Sequence, residues 1–255
     1  MATQAVDMTK VLLLDGDIIA YKHASGAEEA IDWGDDVWTL HTDTRKAKKM
    51  MNAEIETLAV ALDADKVLVA LSSRSNFRHN VDASYKAGRK KSRKPIGLPC
   101  LREELMTEWD GKAEPDLEAD DLLGVWATDP MFHAGAKKII VSVDKDMQTI
   151  PCYLYNQNHP ELGTQEISKR EADWYHLYQT LVGDSTDGYA GCPTIGPTKA
   201  RRLLDTDPTW KTVVKAYVAQ NLSEGDALVQ ARLARILRIE NYNYKNTKIR
   251  LWNPS

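Results

Sequence analysis

Three carboxylates crowd a single apolar stretch, Leu117-Glu118-Ala119-Asp120-Asp121-Leu122-Leu123. Pro115-Asp116 before it and Asp129-Pro130 after it are start and stop signals for a helix. At about 100° per residue, Glu118 and Asp121 share one face of that helix and Asp120 flanks them. Like charges at this spacing repel, and two readings are open. The cluster is an acidic first turn that complements the helix dipole, or a set of oxygen ligands for a divalent cation. Further acids bear on the choice. Asp15 follows the run Val11-Leu12-Leu13-Leu14, Asp144 and Asp146 follow Ile139 to Val143, and Asp184 and Asp187 open a loop rich in Gly, Pro, Asp and Thr. Each pair alone reads as turn chemistry. Four acidic groups at strand ends or loop starts argue together for one metal pocket.

Between Arg74 and Lys94 stand eight Lys or Arg residues and one acid, Asp82. The densest part runs from Lys86 through Arg89, Lys90, Lys91 and Arg93 to Lys94. A charge run of this kind is commonly a solvated face. Here it follows a strand end aimed at the acids, and Phe77 and Tyr85 are interleaved, which suits base stacking beside phosphate contacts. Metal-binding carboxylates next to a cationic strip are the ingredients of phosphodiester cleavage. Metals would bind the scissile phosphate while the cations steer and hold the strand.

The elements that must position these groups are legible. Val11–Leu14, Val67–Leu71 and Ile139–Val143 are short apolar runs bounded by turns, which reads as strands buried on both faces. Helical patterns alternate with them, over Thr44 to Leu62 and at the Glu118 helix, and this predicts a mostly parallel α/β sheet flanked by helices. Ligands of such sheets bind at the carboxyl ends of the strands, where Asp15, Ser72 and Asp144 fall. Ile31 to Leu40 reads as a small hairpin, and Cys152 to Tyr155 as a short strand. Helices are expected at Ser168–Val182, Thr198–Leu204, Pro208–Gln220 and from Ser223 to about Arg238, where Arg232, Arg235 and Arg238 form a stripe open to solvent or to duplex contact.

The 255 residues are 43% hydrophobic and 27% charged, enough for one large core or a core with a small appended domain. A net charge of −4 speaks against a nucleic-acid partner on a simple reading, but the distribution of charge outweighs its sum. Cys100, Cys152 and Cys192 form no CxxC pair and the six histidines are scattered. Neither a zinc site nor a disulfide framework is expected, and a reducing cytosol fits. No apolar run approaches the roughly 18 residues of a membrane span, and Met1 to Lys10 lacks a signal-peptide pattern, so an intracellular protein is expected.

With these motifs in order, the chain resembles the 5′-nuclease superfamily: flap endonucleases, the 5′→3′ exonuclease domains of bacterial DNA polymerase I, and stand-alone phage exonucleases. The matching residues are Leu14-Asp15-Gly16, Phe77-Arg78-His79 with Tyr85-Lys86-Ala87-Gly88-Arg89, Glu118-Ala119-Asp120-Asp121, Asp144-Lys145-Asp146, Gly183-Asp184 through Asp187, and Ile195-Gly196-Pro197 through Ala200. They cover roughly residues 10 to 205, and the small size is most like the phage branch. The resemblance implies a PIN-like core with a helical arch and a helix–three-turn–helix region. It implies one metal site formed by Asp15, Glu118, Asp120 and Asp121 and a second by Asp144, Asp146, Asp184 and Asp187. Two magnesium or manganese ions about 4 Å apart would generate the nucleophile and stabilise the leaving oxygen.

Within that resemblance Asp15, Asp120, Asp144, Lys86 and Arg89 are the catalytic set, the two basic residues acting on the scissile phosphate. Arg78, Tyr85, Lys86, Arg89, Lys90, Lys91, Arg93 and Lys94 would contact DNA from the arch. Ile195, Gly196, Thr198, Lys199, Arg201 and Arg202 would hold duplex phosphates, with a potassium ion shared at the helix–three-turn–helix. The family often carries an aspartate after the second strand, where this chain reads Leu71-Ser72-Ser73, and Thr194 replaces a usual glycine. Residues 1–182 are expected as the nuclease core, with a basic arch over about 74–100. Residues 183–255 are expected as the helix–three-turn–helix and a C-terminal helical region packed on the same core. The implied activity is 5′→3′ exonuclease and flap-endonuclease cleavage of DNA at 5′ ends, nicks or flaps, and of RNA in RNA–DNA hybrids, in the host cytoplasm if phage-encoded. The alternatives are a PIN-type ribonuclease and a non-catalytic structure-specific DNA-binding protein.

Overall fold

The computed structural model describes residues 8–88 and 92–254. Strand β1 (Lys10–Asp15) runs into helix α1 (Gly16–Gly26), and a hairpin follows, β2 (Glu28–Asp32) and β3 (Trp38–Thr42). Then come α2 (Thr44–Ala61), β4 (Lys66–Ala70), α3 (Leu98–Glu108), α4 (Ala119–Thr128), β5 (Lys137–Val141), β6 (Cys152–Tyr155) and β7 (Thr164–Ile167). Helices α5 (Lys169–Val182), α6 (Pro197–Thr206), α7 (Trp210–Val218) and α8 (Glu224–Ala234) precede a short ribbon, β8 (Tyr242–Asn243) with β9 (Lys248–Ile249). The central sheet has the order β4-β1-β5-β6-β7. Its first three pairings are parallel and β7 closes the edge antiparallel.

The apolar β1 run is buried on both faces because successive side chains point to opposite sides of the sheet. Val11 and Leu13 pack with Leu117, Leu122, Leu123 and Trp126 beneath α4. Leu12 and Leu14 pack with Ile19, Met51, Ile55, Leu101 and Leu105 of α1, α2 and α3. Leu177, Leu181, Ile195, Leu204, Val213 and Tyr217 form a further cluster among α5, α6 and α7. The chain then returns to the sheet, where Ile236 and Leu237 join the α4 cluster.

Three expectations change. α8 stops at Ala234, and Arg235 and Arg238 lie beyond it in extended backbone. Both are buried, so the expected stripe does not form. Arg238 instead donates to Asp173 and to the Thr149 carbonyl at 2.7 Å each, and Arg235 donates to Glu240 at 3.0 Å. Helix α3 and strand β7 were not expected from the sequence. Finally, no α-helix falls between Ser73 and Gly97 among the described residues; that stretch carries a 3-10 turn at Phe77–Asn80 and irregular turns.

Candidate nuclease site

The acids gather where the parallel strands end. Asp15, the last residue of β1, caps α1: it accepts the Ile18 N–H at 3.1 Å and the Ser142 hydroxyl at 3.1 Å. Asp120 stands in the first turn of α4. Asp144 follows β5 and accepts the Asp146 N–H at 2.8 Å, capping a 3-10 turn over Lys145–Thr149. The Asp144 charge bears on Asp15, and both bear on Asp120. Burial, then the Asp144 charge, pushes the Asp15 carboxyl up to about 6 against the pull of its hydrogen bonds. Burial, then Asp15 and Asp144, holds Asp120 well above the usual carboxylate range. Asp146 is pushed up to about 7 by burial and then by Asp144, while the Gln179 amide donates to it at 2.6 Å.

A second tier of acids already has cations. Glu118 accepts from Lys86 Nζ at 2.5 Å, from the Tyr85 hydroxyl at 3.1 Å and from Arg78 at 3.3 Å. Burial opposes its ionisation, yet Arg78 and Lys86 bring it down to about 2. Asp187 accepts from Tyr85 at 3.0 Å and stands 3.5 Å from Lys86 Nζ. Asp184 accepts from Lys145 Nζ at 2.7 Å and from the backbone of Thr186 at 2.7 Å and Asp187 at 3.2 Å. Lys86 carries a left-handed φ of 54°, a conformation a non-glycine residue keeps only when its surroundings enforce it. Its own N–H donates to the Asp187 carbonyl at 2.8 Å, tying the basic segment to the Asp184 loop.

Asp121 requires correction as a metal ligand. It is fully buried and turned onto Arg78, which it meets through two bonds of 2.7 and 2.8 Å, and it accepts the Leu237 N–H at 3.0 Å. A helix turns about 100° per residue, so Asp120 and Asp121 cannot both face the strand ends. Arg78 is corrected with it as a DNA contact: it is 2% exposed and also donates to the Leu233 and Arg235 carbonyls at 3.0 and 2.6 Å. Tyr85 and Phe77 are buried too, so neither ring is open to a base; Tyr85 serves through its hydroxyl. Ile195 is buried and its N–H donates to the Cys192 carbonyl at 3.2 Å, which removes it from phosphate contact.

Other expected contacts are solvent-facing. Gly196, Thr198, Lys199, Arg201 and Arg202 are exposed at the start of α6, whose N-cap is Gly196 with no side-chain capping bond. Its first-turn N–H groups are therefore open to an anion. Arg201 lies over the stacked Trp174 and Tyr178 rings, 5.7 and 5.1 Å from their centroids, a cation–π arrangement that limits its freedom. Arg93 is exposed and pairs with Glu28 of the hairpin at 2.9 Å, and Lys94 is exposed. Arg89, Lys90 and Lys91 lie outside the described residues.

Sequence reasoning missed three polar partners. Ser142 is the one polar residue in the Ile139–Val143 run and was visible as such; Gln179 and Lys145 gave no local signal of their roles. Ser72, which stands where an acid is usual, accepts the Ala119 N–H at 3.0 Å and so caps α4. Among the described residues no three His, Cys, Asp or Glu side chains converge closely enough to cage an ion by themselves. The donors fit a hard, water-rich cation better. Magnesium keeps several waters and takes only one or two carboxylates, and the mutual repulsion of Asp15, Asp120 and Asp144 is what such a charge would relieve.

Comparison with known proteins agrees. Phage T3 exodeoxyribonuclease is 32% identical, over 98% of this chain and 95% of the relative. Phage T7 exonuclease is 30% identical over 98% and 96%. The flap endonuclease Xni of Shewanella amazonensis is 29% identical over 78% of both. The T5 5′-exonuclease structure with bound zinc shares the fold, with a TM-score of 0.68 and 15% identity over 89% of each chain. Residues 10–170 match the family described as 5′-3′ exonuclease, N-terminal resolvase-like domain, and the chain belongs to that nuclease family.

Proposed function

We propose that this protein is a divalent-metal-dependent 5′→3′ exonuclease and flap endonuclease. It acts on DNA at 5′ ends, nicks or flaps and on the RNA of RNA–DNA hybrids. The observation that carries the reading is that Asp15, Asp120 and Asp144 come from three separate elements to the strand ends, where burial and neighbouring acids hold the Asp15 and Asp120 carboxyls above their ordinary range, while Lys86 stands 2.5 Å from Glu118 beside them. Asp15, Asp120, Asp144 and Asp146 would hold magnesium or manganese, which supplies neutralising charge to the scissile phosphate and activates water. Lys86, which stands among the acids on Glu118 and Asp187, would hold a phosphate oxygen there, and Tyr85 keeps Glu118 and Asp187 fixed. The open first turn of α6, with Lys199, Arg201 and Arg202, takes a duplex phosphate, with potassium as the shared cation there. Residues 183–255 form the duplex-holding part and residues 1–182 the cutting part. The relatives' phage origin supports the host cytoplasm as the place of action.

The test is a flap substrate labelled at its 5′ or 3′ end, offered as DNA and as hybrid, with and without magnesium. Wild-type protein should release short 5′ products only with the metal, and Asp144→Asn with Asp146→Asn should abolish release while duplex binding persists. Turnover by that variant would overturn the assignment.

A further inference from the structure

The two tiers of acids differ in one respect that bears on how the site assembles. Asp15, Asp120, Asp144 and Asp146 have no lysine or arginine within ion-pair distance among the described residues, whereas Asp184 is held by Lys145 at 2.7 Å. We propose that Lys145 is a placeholder cation. It occupies Asp184 in the DNA-free protein, opposes entry of a second divalent ion there, and passes to a phosphate of the substrate when DNA binds. This rests on the metal-dependent reading above and adds a coupling between substrate and metal that the reading does not contain.

The pair is built asymmetrically. Asp184 is the fixed partner: its side chain is 7% exposed, and its Oδ1 accepts the Thr186 and Asp187 N–H groups, leaving Oδ2 to Lys145. Lys145 is the movable partner, with 61% of its side chain exposed and no second carboxylate within ion-pair distance among the described residues. A structural clip would bury both ends; here one end is anchored by backbone and the other is free to leave. Breaking such an exposed pair costs little. The lysine also has a second place to go. It borders the cleft of about 810 Å³ that runs from Asp144 past Trp174 and Tyr175 to Arg201. That cleft lies between Asp144 and the Arg201–Asp205 side of α6, so a strand running from the acids to Arg201 brings phosphates past Lys145. Its position between Asp144 and Asp146 means that its charge, while it stays on Asp184, repels a cation approaching those acids.

Manganese binding to the DNA-free protein, followed by electron paramagnetic resonance and by calorimetry, tests this without turnover. Lys145→Met removes the charge and keeps the length; Lys145→Arg keeps the charge. The weaker manganese site should tighten about fivefold in Lys145→Met, the upper end of what an exposed pair is worth, and stay unchanged in Lys145→Arg. In Lys145→Met with Asp184→Asn the gain should vanish. With a duplex made of cleavage-resistant linkages, wild type should approach the affinity of Lys145→Met. Superimposable isotherms for wild type and Lys145→Met overturn the placeholder role alone. No manganese uptake by either protein overturns the metal reading and this inference together.

Discussion

Replacing Asp121 by Asn separates a structural role from a ligand role within one acidic cluster. The carboxylate is fully buried. It takes two guanidinium bonds from Arg78 and the Leu237 N–H, and its backbone-capping bond from the Glu118 N–H is 3.2 Å. Asparagine keeps an acceptor but removes the charge that compensates Arg78, which cannot deprotonate and cannot reach water. Losing one partner of a buried pair typically costs about 3–5 kcal/mol. Glu118, 3.3 Å from the same guanidinium, retains part of the compensation, so the lower end, about 3 kcal/mol, is expected. For a chain of this size that is a fall in Tm of about 6–12 °C. The assay is urea unfolding in EDTA, so that no metal contributes. A metal ligand would behave oppositely, since removing a repelling charge from a metal-free cluster leaves stability unchanged or raised. The Arg78→Met, Asp121→Leu double variant should lose less than the sum of the single losses. An unfolding midpoint for Asp121→Asn equal to wild type in EDTA would refute the reasoning.

Two further outcomes are expected. Asp146 ionises at about 7 in the fold against an ordinary value of 3.8. The native state therefore binds the extra proton, and this group's contribution to stability is lost as pH rises through that window. In EDTA, Asp146→Asn should be more stable than wild type at pH 8, with the difference shrinking toward pH 4; a pH-independent difference would exclude the shift. At Gly124 of α4 a Cβ would stand 2.3 Å from the Leu237 carbonyl. Gly124→Ala should therefore destabilise by about 1–3 kcal/mol through overpacking despite the better helix propensity of alanine. A variant melting at or above wild type would show that the C-terminal segment yields freely.

Much of this protein is legible in its sequence, because burial on both faces writes itself as unbroken apolar runs. Val11–Leu14 and Ile139–Val141 are strands for that reason, and a parallel sheet collects whatever follows their ends, which placed Asp15 and Asp144 together in advance. Strand β7, Thr-Gln-Glu-Ile, escaped because an edge strand pairs on one side only and needs no apolar run. Helix α3 escaped because the basic run before it drew the boundary too late, although Leu98, Leu101 and Leu105 have helical spacing.

What the sequence could not decide was the state of each charge. Asp120 and Asp121 are adjacent and chemically identical, yet one faces the strand ends and the other neutralises a buried arginine. Arg78, Arg235 and Arg238 look like surface cations because arginine usually is one. They are interior because partners up to 157 residues away in the chain supply their bonds. Local spacing specifies which residues can ionise and where the strands end. Only the closed fold fixes which acids meet a protein cation and which are left to repel one another, because an ion pair depends on distance in space and leaves no periodic trace along the chain.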